Sequence, residues 1–157
     1  MEFDFSDCLV LNSRMAARAI TRRADQKLRA VGITAAQFTI LGVLSRRNRL
    51  SITDVADSIA MDRSTLSRNL QLLESKAIVA GRSAQRGNGR IYSLTAEGEA
   101  LMERALPIWQ ASQTELRQTL ANPDFPTVIA ALRQVARLSD APDRSTHSHP
   151  SVHIRGK

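Results

Sequence analysis

The chain is poor in the residue types on which most enzyme chemistry depends. Its one cysteine, Cys8, excludes an internal disulfide and any cysteine-based zinc cluster. Its three histidines, His147, His149 and His153, all lie close to the C-terminus, and none neighbours the cysteine. No phosphate-cradling glycine loop and no metal-ligand pair is present, so neither catalysis, a metal nor a cofactor is expected. Aromatic residues make up only 4% of the chain, which leaves aliphatic side chains to build the core. No run approaches the roughly 18 apolar residues of a membrane span, and the acidic start "MEFDFSD" is unlike a basic signal sequence. A cytoplasmic protein without a membrane partner is expected.

What the chain has in quantity is positive charge. Its 22 lysines and arginines against 15 acids give +7 over 157 residues, one domain's worth of chain. Such a surplus favours an anionic partner.

Apolar periodicity divides the chain into helices. Residues 7 to 30 carry Cys8, Leu11, Met15 and Ala19 at helical spacing and a dense arginine face made of Arg14, Arg18, Arg22 and Arg23. Thr34 and Gln37 form a capping box ahead of a helix that is apolar nearly all round, so a buried central helix is expected there. Ser51 and Asp54 form a second such pair before a helix of about ten residues. Asp62 then caps a fourth helix, whose Leu66, Leu70, Leu73 and Ala77 are expected to face the core.

Beyond it, "VAGRS" and "RIYSL", separated by "AQRGNG", read as a β-hairpin and are the only strand signal. Thr95 caps a long helix from about 96 to 121 that Pro107 is expected to bend, and a last helix covers about 126 to 138. Residues 139–157 lack periodicity and apolar content and read as a disordered tail; the three histidines there do not complete a metal site.

Two short helices joined by a tight turn, followed by a basic hairpin, is the order of a winged helix-turn-helix. Between Arg63 and Arg90 there are six basic residues (Arg63, Arg68, Lys76, Arg82, Arg86 and Arg90) and one acid, Glu74, a local +5 of the whole +7. Arg63, Ser64, Thr65, Ser67, Arg68 and Asn69 crowd the first turns of the fourth helix, where a recognition helix meets base edges and phosphates. Arg82, Arg86, Asn88 and Arg90 are the corresponding candidates in the hairpin. Taken alone, a polar helix face is also what any solvated amphipathic helix shows. The arginine run in "LSRRNRL" reads equally as phosphate contacts or as a solvated turn.

In "LSITDVADSIAMDRSTLSRNLQLLESKAIV" and in "LTAEG" the sequence resembles the MarR-type winged helix-turn-helix transcriptional regulators, with helix order matching over roughly residues 8 to 138. The start of that family's recognition helix corresponds to Asp62, Arg63, Ser64, Thr65, Leu66, Ser67 and Arg68. The family's wing usually carries Asp-x-Arg, whereas this chain has Asn88, Gly89 and Arg90, which leaves open how the wing is braced.

The resemblance implies a mainly α fold with a two-stranded β wing and a helical dimerisation region from both termini. Residues 1–34 and 96–138 would form the dimerisation region and 35–95 the DNA-binding lobe. It further implies a homodimer on a pseudo-palindromic double-stranded DNA operator, repression, and release by a small-molecule effector, often phenolic or anionic aromatic. Met15, Arg18 and Phe38 are candidates to line the effector crevice, with Arg18 as a carboxylate partner; ordinary packing beside a solvated arginine is the other reading. One branch of the family senses peroxides through a first-helix cysteine, and Cys8 falls near that position; a buried, inert thiol is the alternative. A winged-helix adaptor for another protein is the rival that uses the same fold without reading DNA.

Overall fold

The computed structural model describes residues 4–47, 49–84 and 89–140, so Arg86, Asn88 and the C-terminal segment from residue 141 lie outside the described residues. Packing divides the chain into two compact units, Met1–Glu115 and Leu116–Lys157.

The first unit opens with α1, Leu9–Leu28, continued by a 3₁₀ turn, Arg29–Val31. Gly32, at φ 74°, ends that turn in the left-handed region, which glycine enters without steric cost. Helix α2, Ala35–Arg46, starts at the expected capping box: Thr34 Oγ1 accepts from the Gln37 amide at 3.2 Å, and Gln37 Oε1 accepts from the Thr34 amide at 3.1 Å. Asp25 of α1 accepts the Ala35 amide at 2.7 Å, so one of the orphan donors at the α2 N-terminus is satisfied from α1. Ile40, Leu41 and Leu44 are fully buried, which makes α2 the central helix the sequence pattern predicts.

The short pair follows. Helix α3, Ile52–Ile59, begins at the Ser51/Asp54 capping box and stops at Ala60, whose φ of 50° turns the chain sharply. Only Met61 and Asp62 intervene before α4, Arg63–Ser75. Leu66, Leu70 and Leu73 of α4 are fully buried against the same core as Val55 and Ala56 of α3. The expected fourth member of that stripe is corrected: Ala77 lies beyond the end of α4, exposed and at φ 56°, and Ile78 and Val79 take the inward positions.

The sheet has one strand more than the sequence signal gave. β2, Val79–Ser83, and β3, Arg90–Leu94, form the expected antiparallel hairpin, and β1, Leu50–Ser51, pairs with the other edge of β3. β3 is therefore central, in the order β1-β3-β2. A strand of two residues offers no periodicity, and Ser51 doubles as the α3 cap, so the helix signal hides it.

Helix α5, Ala96–Thr119, contains Pro107 and starts where Thr95 Oγ1 accepts the Gly98 amide at 3.1 Å. Gly98 packs on the Ile78 carbonyl so closely that a Cβ would collide with that oxygen. Leu101 and Ala105 of α5 join the core with Leu28 of α1 and Tyr92 of β3.

In the second unit, α6, Phe125–Ala136, is capped by Asp124, which accepts the Thr127 amide at 2.9 Å. The Arg117 guanidinium lies 4.3 Å from the centroid of the buried Phe125 ring.

Large apolar side chains stay exposed on several elements. Along α1, Leu9, Val10, Leu11, Met15 and Ile20 are all exposed, with Val10 at 67% and Met15 at 54%. Leu132 and Leu138 are exposed in the second unit.

Candidate nucleic-acid interface

The first turn of α4 is set by Asp62. Its Oδ1 accepts from the Thr65 amide at 2.8 Å and from the Ser64 hydroxyl at 2.7 Å. Hydrogen bonds from the Thr65 side chain, then from the Thr65 backbone and the Ser64 hydroxyl, hold the carboxyl down to about 2. Asp62 and Ser64 thus spend their polar atoms partly on the cap, and an ionised carboxylate faces the positive end of the helix dipole.

With the leucine stripe buried, the rest of α4 is directed outward. Arg63, Ser64 and Arg68 are exposed, and Thr65, Ser67 and Asn69 are half-buried. Arg68 is oriented by its own helix, donating to Thr65 Oγ1 at 3.3 Å, while Asn69 Nδ2 donates to the Thr65 carbonyl at 2.9 Å. Arg68 therefore presents its remaining guanidinium donors from one turn inside the helix, and Asn69 keeps its carbonyl oxygen as an acceptor.

The hairpin candidates separate. Arg82 is exposed on β2, opposite Ile91. Arg90 is not directed away from the protein: its Nη2 lies 2.7 Å from Glu74 Oε1 in the last turn of α4 and 3.2 Å from the Gly81 carbonyl, and its guanidinium covers the Tyr92 ring at 5.4 Å. Glu74, which meets Arg90 here, is a residue that the sequence pattern left unassigned. It was visible only as the single acid in a segment of six basic residues. Arg46, Arg47 and Arg49, around the end of α2, are exposed.

The matches to known proteins fall on this same region. Residues 31–91, from the last residue of the 3₁₀ turn to the second residue of β3, match the MarR family model. Over 109 residues the chain is 27% identical to an uncharacterised HTH-type transcriptional regulator of Bacillus cereus, a match spanning 69% of this chain and 73% of that one. Its fold is similar to that of the transcriptional regulator MosR of M. tuberculosis in complex with DNA, at TM-score 0.78 and 28% identity, covering 85% of this chain and 97% of MosR. It is similar also to MepR of S. aureus in a DNA complex, at TM-score 0.73 and 26% identity, covering 88% of this chain and 99% of MepR.

A cavity of about 250 Å³ opens between α1, α2 and α5. Phe38 and Trp109 stack across it with ring centroids 6.2 Å apart, and Ile20, Leu28 and Ile108 add apolar wall. Of the three effector candidates only Phe38 lines the cavity; Met15 and Arg18 are exposed on α1 outside its lining. Its cation is Lys27, whose Nζ lies 2.7 Å from Glu115, a carboxylate that Arg23 also contacts at 2.7 Å. The hydrogen bond from Lys27 is the first cause of the lowered Glu115 pKa.

Cys8 sits at the N-cap of α1, half-buried, and its carbonyl accepts from Asn12. The one tyrosine, Tyr92, is buried in β3. Among the described residues, no single helix is long and apolar enough to cross a membrane, and no group of three His, Cys, Asp or Glu side chains is gathered as a metal site.

Proposed function

We propose that the chain is a MarR-family homodimeric repressor that reads a pseudo-palindromic DNA duplex through α4, with the wing beside it, and releases the duplex when a small molecule enters the α1/α2/α5 cavity. The observation that carries the proposal is the division of α4. Its leucine stripe is fully buried, and the first turns present Arg63, Ser64, Ser67 and Arg68 outward, two cations and two hydroxyls just after the Asp62 cap. The DNA-bound MosR and MepR structures show the use to which similar folds are put.

Dimerisation is supported by the exposed apolar side chains of α1, Leu11 and Met15 on one face among them, which water disfavours until another surface covers them. Two-fold symmetry then sets the paired α4 helices roughly 34 Å apart, one turn of the duplex. The cavity favours a ligand with an aromatic body, which Phe38 and Trp109 are placed to contact, and with a polar group directed at Ser112 or Gln113. An anionic group must compete with Glu115 for Lys27, so charge is a weaker selector here than ring shape.

Selection from random duplexes by the purified chain, at two salt concentrations, tests the reading. An enriched inverted repeat with half-sites about one helical turn apart is expected. Tight binding without enrichment would reduce the chain to a backbone binder, and no binding at either salt would favour an adaptor that engages protein.

A further inference from the structure

The missing wing carboxylate has a replacement on another element. Glu74 Oε1 accepts from the Gly81 amide at 3.2 Å and from Arg90 Nη2 at 2.7 Å, and Arg90 Nη2 also donates to the Gly81 carbonyl at 3.2 Å. Three elements meet at one carboxylate oxygen: the last turn of α4, the middle of β2 and the start of β3.

Gly81 makes the arrangement possible. It stands opposite Tyr92 in the hairpin register, and a Cβ there would come within 2.7 Å of Arg90 Nη2 and 2.8 Å of Tyr92 Cε1. Arg90 and Tyr92 are two residues apart and share a face of β3, so the guanidinium folds over the ring and fills the space a side chain at position 81 would take. Arg90 has room to reach Glu74 because position 81 is glycine.

Resting on the reading of the chain as a duplex binder, we infer that Glu74 and Arg90 are positioning residues: their ion pair, passing over Gly81, fixes the wing to the recognition helix, and Arg90 acts through that brace rather than as a phosphate contact. A carboxylate beside a DNA-binding surface repels phosphate unless a cation compensates it, as Arg90 does here. The pair is half-exposed, at 48% and 30%, so its effect lies in setting geometry more than in stability.

The test uses the full chain with Glu74→Ala, Arg90→Ala, the double variant and Gly81→Ala, titrated against a labelled mixed-sequence duplex over a range of salt. Each single variant is expected to weaken binding about threefold to tenfold, and the double variant no further than the weaker single, because both remove one coupling. Arg90→Ala is expected to keep the wild-type salt slope. If Arg90 contacts phosphate instead, Glu74→Ala binds as tightly as wild type or more tightly, and Arg90→Ala lowers the slope by about 0.9; either result overturns the brace.

Hydrogen exchange at the Gly81 amide in the free protein supplies a readout independent of DNA. Arg90→Ala leaves that amide's acceptor in place, so exchange about tenfold faster is expected only if Arg90 holds Glu74 and β2 together, and unchanged exchange overturns the proposal. A wild-type chain that binds no duplex would remove the DNA reading, while the exchange measurement would still decide the brace.

Discussion

Helices α1 and α4 carry apolar residues at the same kind of spacing, yet they end in opposite circumstances. Leu66, Leu70 and Leu73 of α4 are fully buried, whereas Leu11 and Met15 of α1 remain 39% and 54% exposed. Periodicity identifies a face that water disfavours, but it does not say what covers that face. In α4 the cover is intramolecular, from α2, α3 and the sheet, and this frees the opposite face for a partner. In α1 Leu11 and Met15 have no such cover and stay exposed, flanked by arginines that are exposed too.

The largest expected effect attacks the buried face. Leu70→Ala should cost about 2–5 kcal/mol of unfolding free energy in denaturant titration, since it removes a fully buried side chain and leaves a cavity. Leu11→Ala, at an equivalent place in the pattern, should cost far less when measured at a concentration where the chain is monomeric. Equal losses would mean that α1 is covered within one chain after all.

The α1 face is probed directly by Leu11→Asp combined with Met15→Glu. Covering each of these apolar side chains at an interface contributes about 1.5–3 kcal/mol, so the pair should abolish self-association in sedimentation without lowering the helix content of the monomer. Unchanged association would put the dimer interface elsewhere.

On the outward face of α4, Arg68→Ala should reduce discrimination between the selected duplex and single-base variants by about 1–3 kcal/mol. It should do so with little change in unfolding midpoint, because Arg68 is exposed. A uniform loss across all duplexes would make Arg68 a phosphate contact instead.

The parts of this molecule legible in the sequence are those written by local chemistry. Both capping boxes, the Asp62 and Thr95 caps and the strands 79–83 and 90–94 lie where the residues predict them, because each depends on neighbours within a few positions. What escaped depends on contacts across the chain. β1 exists only through its pairing with residues 91 and 92, some forty positions on. Arg90 reads from sequence as one more DNA-facing cation, and only the approach of Glu74, sixteen residues away, turns it inward. Lys27 and Trp109 line the cavity with Phe38 because α5 returns to α1 and α2, a meeting that spacing along one helix does not encode.

The smallest expected effect concerns the cap that begins the outward face. Asp62 titrates at about 2 in the fold, below the 3.8 of an unperturbed group, so folding favours its ionised form. That contribution is complete above about pH 4 and is lost as pH falls toward about 2, when the carboxyl takes up its proton in the folded state too. Asp54 and Asp124, lowered by hydrogen bonds from Ser51 and Thr127 respectively, add to the loss in the same direction. Asp62→Asn keeps an oxygen to accept the Thr65 amide but cannot ionise. Its stability at neutral pH should therefore lie close to wild type, and its decline in acid, followed by denaturant titration at about pH 7, 4 and 3, should be shallower. Parallel declines would show that the cap holds α4 by hydrogen bonding alone and that its charge contributes nothing.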